Sequence, residues 1–94
     1  MSRDLCIMAC VFCRDPEFQE WVHHQAGARR ILFVGGRLPA RNESMAKAFI
    51  LHECEVRSRN DLDRDPAAAQ RFHELVRKPF MAWKEQQPTA PSGR

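Results

Sequence analysis

The sequence predicts a small, helix-dominated α+β domain in which a two-stranded sheet packs against about three helices. Two short apolar segments, Leu5–Cys13 and Ile31–Val34, have the length and residue types of strands. Two Asp-Pro pairs, at Asp15 and Asp65, are strong helix start signals.

Composition and length favour a single folded unit over a disordered or membrane-embedded chain. The 94 residues are 44% hydrophobic and 29% charged, which is enough apolar material for one core. We expect a domain over residues 1–85 and a disordered polar tail over residues 86–94, which contain two prolines. The longest apolar run is far shorter than the roughly 20 residues of a membrane helix. Because no cleavage signal follows it, a cytoplasmic protein is expected.

The first apolar segment is interpreted as a buried strand. Leu5–Cys13 is apolar at both odd and even positions, and Ile7, Val11 and Phe12 favour the extended conformation. Periodicity alone does not separate a buried strand from a buried helix here, so the helical alternative stays open.

The segment after it is predicted to be a three-turn helix. Asp15 is the expected N-cap, with Pro16 at the first helical position. Phe18 and Trp21, three residues apart, would lie on its apolar face. Gly27 is expected to end the helix in a left-handed conformation.

The next elements are a short strand and a second helix. Ile31–Val34 is the strand, Gly35-Gly36 is a tight turn, and Pro39 prevents a long return strand. Asn42 is one of two candidate caps for the helix that follows, Ser44 being the other. The predicted helices are near 16–26, 43–54 and 66–85.

The C-terminal third carries a short helical turn and the last helix. Ser58 and Asp61 form a Ser-x-x-acid capping box, and Leu62 is expected to anchor the turn to the core. The helix after Asp65 should kink or restart at Pro79, which lacks a backbone N–H. The predicted core consists of Ile7, Val11, Phe18, Trp21, Val22, Ile31, Phe33, Phe49, Ile50, Leu62, Phe72, Leu75, Val76 and Phe80.

Three of the four cysteines fall in the first segment. The spacing Cys6-x-x-x-Cys10-x-x-Cys13 resembles that by which radical S-adenosylmethionine enzymes hold an iron–sulfur cluster. On a strand, Cys13 would point away from the other two, whereas on a helix all three would share a face. Reduced core thiols are the favoured interpretation, and a metal or cluster site is the minority alternative. No cofactor is expected, and no catalytic constellation stands out among the remaining residues.

A run of arginines is the main candidate for a binding surface. Four of them, Arg29, Arg30, Arg37 and Arg41, occur within thirteen residues that contain no acid, in a chain whose net charge is +3. Arginines on a turn suit contacts with phosphates or with an acidic protein surface. A solvated loop without a binding role is the competing interpretation.

The C-terminal half also carries a pattern of known proteins. The pattern has three parts: Cys54-Glu-Val-Arg-Ser-Arg-Asn-Asp-Leu-Asp63, then Asp65-Pro-Ala-Ala-Ala, then Phe72-His-x-Leu-Val with Phe and Trp downstream. It resembles a group of small, largely uncharacterised phage and prophage proteins. The resemblance extends over about residues 5 to 84. It implies a phage-type origin and a cytoplasmic accessory role, often in phage DNA metabolism.

The sequence therefore supports two functional hypotheses. The first is a non-enzymatic accessory protein that contacts DNA or RNA phosphates through the four arginines. The alternative is a protein-binding module that inhibits or adapts a host or phage machine. No membrane partner is expected, and pairing of the two exposed strand edges would give a homodimer.

Overall fold

The protein is all-helical in a computed structural model that describes residues 3–86. The helices are α1 (Asp4–Arg14), α2 (Pro16–Arg29), α3 (Glu43–Cys54), a 3₁₀ helix (Arg59–Asp63), α4 (Pro66–Arg71), a π-helical segment (Phe72–Arg77) and α5 (Lys78–Glu85). Within residues 3–86 the β-type pairing is limited to one isolated antiparallel bridge. The predicted α+β class with a two-stranded sheet is therefore wrong.

The first predicted strand, Leu5–Cys13, is helix α1. Ala9 and Cys13 on its inner side are fully buried, and Leu5, Met8 and Phe12 pack partly against the core. Ile7 and Val11, by contrast, are 58% and 57% exposed. They were predicted to be core residues, and the helical period of 3.6 is what turns them outward.

A distant carboxylate explains how α1 begins without a local cap. Arg3, its N-cap residue, makes no side-chain capping bond. Instead, Asp63 of the 3₁₀ helix accepts the backbone N–H of Leu5 at 3.0 Å and that of Cys6 at 3.0 Å, one on each carboxylate oxygen. A negative charge at this end also interacts favourably with the helix dipole. The helical state of α1 thus depends on a residue nearly sixty positions away.

Replacing Asp63 by alanine should lower the free energy of unfolding by about 1–2 kcal/mol, because two N–H groups of the first turn lose their acceptor. Urea unfolding followed by circular dichroism measures this effect. Asp61→Ala is the matched control, since its ion pair with Arg64 is a long 3.7 Å surface contact worth little. Equal stability losses in the two variants would contradict the capping role.

The second predicted strand, Ile31–Val34, is also wrong. Leu32 has φ +64°, a left-handed conformation that interrupts an extended segment. Ile31 and Leu32 pack against the core, whereas Val34 is 75% exposed. Since residues 3–86 contain no strand, the sheet edges proposed for a homodimer are absent from this part of the chain.

The predicted tight turn at the two glycines is confirmed. Val34 and Arg37 exchange both backbone hydrogen bonds, at 2.8 and 3.1 Å. Gly35 and Gly36 have φ of +60° and +79°. Two consecutive left-handed residues are the geometry of a tight hairpin turn, and glycine adopts it without steric cost.

Helix α2 starts as predicted and ends later than predicted. Asp15 accepts the N–H of Glu17 at 2.9 Å, with Pro16 in the first turn. The left-handed residue at its C-terminus is Arg30, and Gly27 lies inside the helix. A Cβ on Gly27 would lie 3.3 Å from a methyl of Leu38, so this glycine allows the following loop to pack closely on α2.

The C-terminal helix changes its hydrogen-bond pattern just before Pro79. The N–H of Lys78 bonds to the carbonyl of His73, five residues back, and α5 begins at Lys78 with the proline in its first turn. This wider π-type turn accommodates a residue that lacks an N–H and crowds the preceding turn. The predicted restart at Pro79 therefore occurs one residue earlier.

The core is a cluster of aromatic rings shared by all the long helices. The ring of Phe80 packs against the rings of Phe12, Phe18 and Trp21, with centroid-to-centroid distances of 5.0–5.7 Å. Most predicted core residues are buried, but Leu75 is exposed and Ile31 and Phe33 are only half-buried.

From residue 87 onward, the predicted tail lies outside the described residues. No described helix combines the length and apolar character needed to cross a membrane.

Candidate nucleic-acid interface

The arginine run begins at Arg29, the last residue of α2, and continues through the loop between α2 and α3, residues 30–42. Its two ends are held by packing: Ile31 and Leu32 contact the core, and Leu38 lies against Gly27. Asn42 then caps α3 by accepting the N–H of Met45 at 2.9 Å, which confirms one of the two predicted caps. Between these anchors the loop carries Arg30, Arg37 and Arg41, all exposed.

Arg29, the fourth predicted contact, is engaged elsewhere. Its guanidinium donates two hydrogen bonds of 2.9 Å, one to each carboxylate oxygen of Glu53 on α3. The side chain of Glu53 is only 5% exposed, so this bidentate pair joins the C-terminal turns of α2 and α3. Arg29 thus has a structural contact, whereas Arg30, Arg37 and Arg41 are exposed in the loop.

The ionisation of Glu53 depends on this arrangement. Burial by itself raises the pKa of Glu53, but hydrogen bonds and positive charge from Arg29 and His52 more than offset that effect. The Nδ1 of His52 lies 3.0 Å from the same carboxylate. The net result is a pKa below the ordinary value of the glutamate side chain, so Glu53 stays ionised at neutral pH.

Arg30 and Phe33 form the inner part of the loop surface. The guanidinium carbon of Arg30 is 5.7 Å from the centroid of the Phe33 ring, a cation–π contact. This contact holds the Arg30 cation beside Phe33, at the left-handed residue that ends α2. Phe33 itself is half-buried and keeps part of its ring accessible.

A groove of about 400 Å³ runs between this loop and the N-terminal half of α3. Its lining is mainly apolar and consists of Leu32, Phe33, Val34, Pro39, Asn42, Ser44, Met45 and Ala48. The exposed arginines are close to lining residues: the Arg30 guanidinium lies over the Phe33 ring, the backbone of Arg37 bonds to that of Val34, and Arg41 directly precedes Asn42 in the chain. Lys47 is exposed and directly precedes Ala48, which lines the groove.

The cysteines of α1 lie along one side of the helix, as the helical alternative implied, but the three do not converge: Cys6 and Cys10 line an open cavity on α1, whereas Cys13 does not. Cys13 is fully buried, and Cys6 donates to Asn60 at 3.2 Å. Seven residues of helix separate these two by about 10 Å along the axis, too far to ligate one metal ion. No group of three or more potential ligands within residues 3–86 is arranged to hold a metal ion.

The guanidinium of Arg59 gives a second reason against a metal at these thiols. Burial raises the pKa of Cys13, and a hydrogen bond and positive charge from Arg59 oppose that rise only in part. Burial also raises the pKa of Cys6, and the positive charge of Arg59 opposes that rise in part. A cation beside the thiols disfavours a metal cation there, and together with the full burial of Cys13 this favours reduced, packed cysteines. All four cysteines are free thiols, and burial raises the pKa of Cys54 to about 12.

Sequence reasoning missed two features of this region. Nothing in the local pattern links Arg29 to Glu53, because the two lie 24 positions apart on separate helices. The groove was missed because Ile31–Val34 was interpreted as a strand. The one available signal was the apolar Phe33-Val34 pair next to a glycine turn and amid arginines.

Comparison with protein-family models, with curated proteins and with solved structures finds no match for this chain.

Proposed function

We propose that this protein binds nucleic acid through the α2–α3 loop, with Arg30, Arg37 and Arg41 as phosphate contacts. The observation that carries the proposal is the charge of this loop: three exposed arginines and no carboxylate from residue 30 to residue 42. Arginine donates several hydrogen bonds in a fixed geometry that matches phosphate oxygens. A non-enzymatic accessory role, and the phage DNA metabolism that the sequence resemblance implies, are part of the proposal.

The proposal predicts binding that weakens steeply with salt, because phosphate contacts release counterions. Arg37→Gln and Arg41→Gln should each lower the affinity for every sequence and reduce the salt slope by about 1. Fluorescence anisotropy of labelled oligonucleotides, titrated at several salt concentrations, measures both quantities. Arg77→Gln, which removes an exposed charge outside the loop, is the matched control.

The proposal fails if neither single-stranded nor duplex oligonucleotides bind at low salt. It also fails if Arg77→Gln weakens binding as much as the two loop variants. The second result would mean that net charge, rather than this loop, is responsible.

A protein-binding module is the second candidate, and the exposed side of α1 favours it. Ile7 and Val11 form an apolar stripe that ends in the exposed residues Arg3 and Arg14. Antiparallel pairing of two copies would place arginines opposite arginines, so the stripe suits a partner helix with acidic ends. A host or phage protein retained at high salt by the natural chain, and lost on Ile7→Glu but not on Leu75→Glu, would favour this candidate.

A further inference from the structure

We propose that the nucleic acid taken by this loop is single-stranded, and that an unpaired base enters the apolar groove between the loop and α3. This inference rests on the proposed function and goes beyond it, because phosphate contacts alone do not distinguish a single strand from a duplex. The inference is based on the groove together with the cations beside it.

The groove has the size and the surface chemistry to hold a base. Its volume of about 400 Å³ falls within the range of roughly 300–1,000 Å³ that small-molecule sites occupy. Phe33 offers an aromatic ring on which a base can stack, and Val34 and Ala48 offer exposed apolar surface. Asn42 and Ser44 place polar side chains at the end where α3 begins. An apolar site with a few polar groups is typical of base recognition in single strands.

The charges around the groove favour a polyanion over an apolar peptide. Four cations are exposed and close to groove residues. The Arg30 guanidinium lies over Phe33, the backbone of Arg37 bonds to Val34, and Arg41 and Lys47 directly precede the lining residues Asn42 and Ala48 in the chain. The nearest acid along the chain, Glu43, has its carboxylate 3.9 Å from Arg14 of α1. A strand whose base occupies the groove would therefore have cations nearby for its phosphates. The inference applies to both DNA and RNA, since the two share this chemistry.

A duplex does not use the groove in this way. Its bases are stacked and paired inside the helix, so it offers the loop only its phosphates and groove edges. Stacking of an unpaired base on an aromatic side chain adds a contribution that is independent of salt and absent from a duplex. A base-dependent preference for single strands is thus the signature of the groove.

The test compares two strands of equal length and charge. An oligothymidine strand should bind at least about tenfold more tightly than an abasic strand with the same phosphates, as expected from stacking energies measured for other proteins. An oligouridine strand, compared with its own abasic counterpart, runs in parallel, and a base preference in either sugar supports the inference. A duplex of the same length should lack the gain from the base, so that its affinity for each phosphate contact is close to that of the abasic strand.

One substitution separates the groove from the arginines. Ala48→Leu fills the groove with a residue that favours helix, and it should remove the preference for thymidine over the abasic strand. The salt slope should stay unchanged, because no cation is lost. Ala82→Leu, at an exposed alanine of α5, is the matched control and should keep the preference.

The outcomes distinguish this inference from the proposed function. If thymidine and abasic strands bind equally and both depend on salt, the groove inference is overturned and the phosphate-binding function stands. A preference for thymidine that survives Ala48→Leu also overturns it, because the base then docks elsewhere. If no strand binds at all, the proposed function itself fails.

Discussion

Replacing Phe80 by alanine should lower the free energy of unfolding by about 3–5 kcal/mol. Phe80 is 1% exposed, and its ring contacts the rings of Phe12, Phe18, Trp21 and Trp83. Those partners belong to α1, α2 and α5, so truncation leaves a cavity where three helices meet. Since small domains are stable by only about 5–15 kcal/mol, this single change removes a large part of the total.

Circular dichroism during urea unfolding is the suitable measurement for Phe80→Ala, because both tryptophans contact Phe80 and their fluorescence would change for local reasons. Phe80→Leu keeps most of the volume and should lose less, about 1–2 kcal/mol. Val34→Ala, at a 75% exposed position, should change stability by less than about 0.5 kcal/mol. A Phe80→Ala variant as stable as Val34→Ala would contradict the aromatic core.

Replacing Arg29 by alanine should lower the free energy of unfolding by about 2–4 kcal/mol, because it leaves the buried carboxylate of Glu53 without its bidentate partner. The loss is expected at the lower part of this range, since the Arg29 side chain is 43% exposed and His52 also contacts the carboxylate. Arg37→Ala, in the exposed turn, should leave stability unchanged while weakening nucleic-acid binding. Urea unfolding and anisotropy on the two variants separate the structural arginine from the binding arginine.

A double-mutant cycle with Glu53→Gln sharpens this test. Removing both charges should cost less than the sum of the two single changes, because no unpaired charge then remains buried. Strict additivity would contradict the ion pair.

The ion pair between Arg29 and Glu53 also makes the stability of the fold depend on pH. Because the pKa of Glu53 is lowered in the folded state, its contribution to stability is fully present above the unfolded pKa of about 4.3 and is lost as the pH falls through the folded value. Thermal unfolding of the natural chain and of Glu53→Gln between neutral and acidic pH measures this contribution. The stability difference between the two chains should shrink on acidification. A difference that stays constant or grows would contradict a lowered pKa.

The start signals of the helices were predictable because they are local. Asp15 and Asp65 accept N–H groups two residues onward, and Asn42 accepts one three residues onward at the start of α3. The amphipathic faces that include Phe18, Phe49 and Phe72 were predictable for the same reason, since helical spacing identifies a buried side. For the candidate interface, the sequence identified a basic loop but could not separate Arg29 from the arginines that remain exposed.

The fold class was not predictable from these local patterns. Residues 5–13 are apolar at every position, a pattern equally compatible with a buried strand and with a helix, and β-branched Ile7 and Val11 favour the wrong choice. The structure resolves the ambiguity through Asp63, whose carboxylate satisfies the first N–H groups of α1. A similar point applies to Ile31–Val34, where the left-handed Leu32 depends on packing against the core.

By itself, then, the sequence determined where most helices begin, which aromatic faces are buried, and that one acid-free loop is rich in arginine. Tertiary structure alone decided that the first segment is a helix, that Arg29 belongs to Glu53, and that the loop and α3 enclose a groove. The physical reason is the range of the interactions. Caps and helical periodicity act over a few residues, whereas the remote cap, the ion pair and the groove join segments that only folding brings together.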